Sequence, residues 1–252
     1  MSALGFHRPT GKYARLERTF DPTAAAPTVL AVMPLDRRTA TTPIAAAMAT
    51  LLDAILPHPV AAVDADGTAQ PLRRLLESTG AGDIVGLAAS HDATLRRRSV
   101  EDFVDMGARV PLASCWIDGP GAIPPGVFRD AAWKLRRRFP NLVLDVPHGV
   151  PRSTLGVATD IATHVLLVAD PQDLDHDWLH DGKSVLASRA RDDAVTIVAV
   201  GGDDSVRSAC HHGDIIPLDP LVDPGYRATP ARLSDSDGRL LGLTEIARRV
   251  LR

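Results

Sequence analysis

Three short segments carry side chains suited to metal or phosphate chemistry, each just beyond an apolar run. Val63-Asp64-Ala65-Asp66-Gly67-Thr68 offers carboxylates at i and i+2, a spacing that can hold a metal-bound water or orient an attacking one. Asp145-Val146-Pro147-His148-Gly149 ends an apolar run in Asp with Gly four residues on, so that a carboxylate would reach a metal ion through water and a glycine N–H would face a phosphate. Thr41 and Thr42 open an Ala-rich stretch, and a hydroxyl there is a candidate Mg²⁺ ligand. Each has a plainer reading. Strand-end Asp and paired Thr also cap helices, and a loop histidine such as His148 is more often solvated than catalytic.

The elements that must position these residues follow from the alternation of the chain. Apolar runs at 28–33, 60–64, 83–88, 109–115, 141–146, 164–169, 195–200 and 214–218 have strand length, and most are apolar throughout. Amphipathic stretches near 43–56, 69–78, 92–104, 127–138, 152–162, 173–189, 203–211 and 239–252 separate them. That order predicts an α/β fold in three layers, a doubly wound, mostly parallel sheet with helices on both faces. Ligands on such a sheet sit at the carboxyl ends of the strands, where the three segments lie.

Composition agrees with this architecture. Of the 252 residues 45% are hydrophobic but only 4% aromatic, so the core is built from Val, Leu, Ile and Ala, as buried parallel strands are. The net charge of −3 gives no pull toward nucleic acid. Cys115 and Cys210 make no disulfide framework, which points to a reducing cytoplasm, and no signal peptide or membrane span is visible. Residues 1–23 are polar and basic, read as a flexible tail or docking arm, leaving 24–252 as the folded domain.

Between the first run and Thr41-Thr42 lie Leu35, Asp36, Arg37, Arg38, Thr39 and Ala40. Strand, eight-residue loop, two threonines and helix are the register of a phosphate-binding P-loop. Together with the two Asp segments this order resembles the MinD/ParA-like (deviant Walker A) P-loop ATPases. The resemblance runs on through "ATHVLLVADP", "VTIVAVGG", "DIIPLDP" and "LTEIARRVL", covering about 28–252. "AAWKLRRRFPNLVLD" is most like the MinD-like proteins that accompany type VII secretion systems in actinobacteria. It implies a P-loop NTPase fold, with Thr41, Thr42, Asp64, Asp66, Asp145 and Gly149 as the nucleotide site.

The departures matter as much. The family loop reads Lys-Gly-Gly-x-Gly-Lys-Thr-Thr; aligned on the threonines, this chain has Leu35 at the signature lysine, Asp36, Arg37 and Thr39 at glycines, and Ala40 at the Walker lysine. No lysine occurs between Lys12 and Lys134 and no glycine between Gly11 and Gly67. Loss of one oxyanion donor costs roughly 3–4 kcal/mol of transition-state stabilisation. Arginine does not take the compact ammonium position without moving the loop. The switch segment has Val146 where the family has Thr, and Val200-Gly201-Gly202 stands where it has an adenine-facing Asn. The expectation is a pseudo-ATPase with no catalytic residues, no resident metal and no cofactor, ATP/Mg being the family's ligand. It would be cytoplasmic, acting on a protein partner (an active ATPase or secretion component) or as a homodimer, with membrane recruitment through the partner. A weak or nucleotide-sensing ATPase with a non-standard loop is the alternative. Gly182-Lys183-Ser184, His176 with His180, and the Arg96–Arg98 and Arg136–Arg138 runs are read as a decoy, an acidic helix and solvated faces.

Overall fold

A computed structural model describes residues 26–36, 39–80, 82–91, 95, 99–115, 121–172, 174, 176–202, 206, 215–221 and 237–252. The strands are β1 (Val29–Pro34), β2 (Val60–Asp64), β3 (Leu112–Ala113), β4 (Asn141–Asp145), β5 (His164–Ala169), β6 (Val195–Val200) and β7 (Ile215–Leu218). They form a seven-stranded sheet in the order β3-β2-β4-β1-β5-β6-β7, parallel at every pairing. The helices are α1 (Thr42–Ile55), α2 (Pro71–Leu75), α3 (Ile84–Ala89), α4 (Pro125–Leu135), α5 (Arg152–Ile161), α6 (Trp178–Asp181), α7 (Val185–Arg191) and α8 (Asp237–Val250).

Strand residues alternate between two cores. Leu30, Val32, Ala62, Val143 and Leu166 face the layer of α1, α2 and α8. Val29, Ala31, Val63, Leu144 and Leu167 face α3, α4 and α5. Burial on both faces explains why the strands read as continuous apolar runs. Small alanines let α1 approach the sheet closely; from Ile44 to Leu52 every residue of it is buried. A proline in its first turn and the extended Leu56 set its ends.

Four expectations are corrected. The run 83–88 is helix rather than strand: Asp83 caps α3 by accepting the Gly86 N–H, and Ile84 and Leu87 bury one helical face. A short apolar run does not distinguish a buried strand from a buried helix turn. The strand read at 109–115 shrinks to two residues, Leu112–Ala113, the first of which also bridges Asp105 in antiparallel fashion. The helix read at 173–189 is two short helices, broken where Ser184 caps α7 by accepting the Ala187 N–H. His176 thus precedes α6, buried, with Nδ1 2.9 Å from the Leu174 carbonyl. Within 92–104 the 3₁₀ turn Val100–Phe103 is described. Residues 1–25, Arg37, Arg38, Arg96–Arg98, Cys210 and most of 203–211 lie outside the described residues, as does the His180 side chain.

Candidate functional site

Asp64 and Asp145 end adjacent strands and are Cα partners in register, so their side chains leave the sheet on the same face, toward α1. Both are fully buried. Asp64 accepts the Asp66 N–H at 2.9 Å; Asp145 accepts the Thr41 hydroxyl at 3.3 Å and also that of Thr42. Each keeps one oxygen, Oδ2, without a hydrogen-bond partner. Burial pushes the Asp145 carboxyl up to about 7, against the pull of the two threonine hydroxyls. Burial, then the charge of Asp145, holds Asp64 well above the usual carboxylate range. Two buried carboxyls this close share negative charge at high cost.

Thr41 stands at the N-cap of α1 but makes no side-chain capping bond; its hydroxyl is committed to Asp145. The structure therefore brings Thr41, Thr42, Asp64 and Asp145 together. Asp66, half-buried, accepts the Thr68 and Ala69 N–H groups and closes the turn before α2, while its charge bears on both buried carboxyls. Gly67 sits where a Cβ would meet the Gly121 carbonyl at 1.9 Å, which fixes this loop against residue 121. Gly149 lies beyond β4 with φ +89°, an exposed left-handed turn, and His148 beside it is exposed.

The loop between β1 and α1 is held by its own acid. The Asp36 carboxylate accepts the Thr39 N–H at 2.8 Å, the Thr39 hydroxyl at 2.9 Å and the Asp170 N–H, beyond β5, at 2.6 Å. The carboxylate thus takes amides from the loop and its neighbour. Asp-x-x-Thr is the spacing of a local side-chain turn, the signal that was there to be read. Leu35 extends the strand by donating to the Val168 carbonyl, and Ala40 is exposed.

The Lys134 ammonium donates to the carbonyls of Leu87, Ala88 and Ser90 at the end of α3, and Lys183 is exposed between α6 and α7. Arg138 pairs with Glu101, and Arg136 lies 6.0 Å from the centre of the Trp133 ring. The Cys115 thiol is buried and pushed up to about 11, chiefly by burial.

The same sheet is found in solved structures. The MinC:MinD cell division protein complex of Aquifex aeolicus matches with TM-score 0.61 at 16% identity, over 88% of this chain and 95% of that one. A ParA family ATPase of Chlorobium tepidum matches with TM-score 0.61 at 14% identity, over 88% and 99%. The septum site-determining protein MinD of Pyrococcus horikoshii, complexed with Mg-ADP, matches with TM-score 0.59 at 18% identity, over 87% and 95%. This is the MinD/ParA P-loop fold. No protein-family model and no curated protein sequence matches the chain. Against a Mg-nucleotide the residues divide. Two carboxylates with an oxygen each to spare, beside two hydroxyls, are donors that suit a hard divalent cation. The phosphate side does not fit, because Asp36 takes the Thr39 amide and no lysine is present in the described loop. Among the described residues no group of three or more His, Cys, Asp or Glu is arranged to hold a metal ion.

Proposed function

We propose that this chain is a MinD/ParA-fold pseudo-ATPase, a scaffold or regulatory protein that works by binding another protein rather than by hydrolysing ATP. The observation that carries the reading is the Asp36 carboxylate, bonded to the Thr39 amide and hydroxyl and to the Asp170 amide. P-loops bind phosphate with backbone N–H groups, and a carboxylate seated on such groups competes with it. The nucleotide site is then vestigial, with Thr41, Thr42, Asp64, Asp66, Asp145 and Gly149 as its remnants. The resemblance of "AAWKLRRRFPNLVLD" supports a partner from a type VII secretion or a pole or division system; the MinC:MinD complex is a precedent for a protein partner on this fold. A second copy or an active ATPase is the natural candidate.

One observation favours the second reading, a weak or nucleotide-sensing ATPase: the hydroxyl and carboxylate group around Asp145 is intact. Calorimetry with Mg-ATP and Mg-ADP, paired with a turnover assay, separates the two. No heat of binding and no turnover above background are expected. Micromolar affinity, or turnover abolished by Asp145→Ala, would overturn the pseudo-ATPase.

A further inference from the structure

A groove of about 290 Å³ runs between α5 and α7, floored by Met33 of β1 and Leu167 of β5. Leu155 and Val185 form its walls, and Val185 is 56% exposed at the rim. Gly156 opens it from within α5. A Cβ added there would meet nothing within 4 Å, so no packing inside the described fold calls for the glycine. A glycine inside a helix costs about 1 kcal/mol against alanine; here it widens a groove. Asp160 is exposed at the edge, and its carboxylate makes no hydrogen bond or ion pair among the described residues. The size suits a few apolar side chains better than a whole cofactor, whose pockets run to roughly 300–1,000 Å³.

We propose that this groove seats residues 13–20 of the chain itself, with Tyr13, Leu16 and Phe20 as apolar anchors and Lys12, Arg15 or Arg18 meeting Asp160. The anchors recur at i, i+3 and i+7, the spacing of one helical face laid in a groove. Phe6, Tyr13 and Phe20 concentrate aromatics in the first 20 residues of a chain with 4% aromatic content, unlike a solvated tail. The basic residues complement the charge at the groove's edge. Reach is sufficient. Residue 26, which precedes β1, lies about 26 Å from residue 34 beside the groove; a helical Leu16–Phe20 rises about 6 Å and an extended Phe20–Ala26 spans up to about 22 Å, about 28 Å together. This assignment does not depend on the nucleotide reading.

Hydrogen exchange on the full chain tests it, comparing the unmodified protein with Gly156→Phe, which fills the groove, and Leu16→Glu, which removes the central anchor. The expected result is that amides 13–20 exchange at least about tenfold more slowly than an unstructured peptide, and that both substitutions abolish this. Protected β1 and β5 amides in each variant show that the fold is kept. Residues 13–20 exchanging at the unstructured rate in the unmodified chain, or staying protected in either variant, would overturn the proposal. Light scattering addresses a second copy: a dimer that both substitutions convert to monomer overturns docking within one chain, and a mass that they leave unchanged upholds it.

Discussion

Asp145 is an acid whose burial works against its charge, and the sign of its pH dependence follows. Its folded-state value of about 7 lies above the ordinary carboxylate value of 3.8, so folding favours the neutral form. The stability it contributes is complete below about pH 4 and is lost as pH rises through 7, by up to about 4 kcal/mol. Asp64 shifts in the same direction. Asp145→Asn should therefore melt higher than the unmodified chain at pH 8, with a gap that narrows toward pH 4; denaturant titrations across that range measure it. An equal gap at both ends would show that charge is not the cause. The Asp36 carboxylate accepts three hydrogen bonds. Asp36→Ala leaves the Thr39 and Asp170 amides without that acceptor and should cost about 1–3 kcal/mol, read as a lower denaturation midpoint.

At the scale of elements, α3 shows what the sequence held and what it withheld. Ile84-Val85-Gly86-Leu87-Ala88-Ala89 reads equally as a buried strand, and the deciding contacts come from elsewhere. The Lys134 ammonium, 44 residues or more along the chain, gathers the carbonyls of Leu87, Ala88 and Ser90. A cation at a helix C-terminus is favourable, and capping carbonyls with it more so. Lys134→Met should lower stability by about 1–2 kcal/mol and raise exchange at the end of α3 before that of the sheet; uniform exchange would argue against a local cap. The long strands were legible because burial on both faces leaves an unbroken apolar run, as in Val60–Asp64, His164–Ala169 and Val195–Val200. Thr41, Thr42, Asp64 and Asp145 were legible as residue types at strand ends. That Thr41 bonds Asp145 rather than capping α1 was not, since the choice depends on the register of β1 against β4.

For the whole molecule, the sheet order puts β1 between β4 and β5, so the loop after β1 opens where the two halves of the sheet diverge. Any ligand seated there touches both halves and would stabilise the fold as a unit. A nucleotide at one hundred times its dissociation constant adds about 2.7 kcal/mol. At about 2–4 °C per kcal/mol for a chain of this size, the melting temperature would rise by roughly 5–11 °C. Because no lysine stands in the loop and Asp36 bonds the Thr39 and Asp170 amides, we expect millimolar Mg-ATP and Mg-ADP each to shift it by less than about 1 °C. The same scan on Asp36→Ala separates the causes of that silence. If the carboxylate alone keeps nucleotide out, the variant gains a shift. If the missing lysines suffice, it stays silent, which is the outcome we expect because removing an anion does not supply a cation.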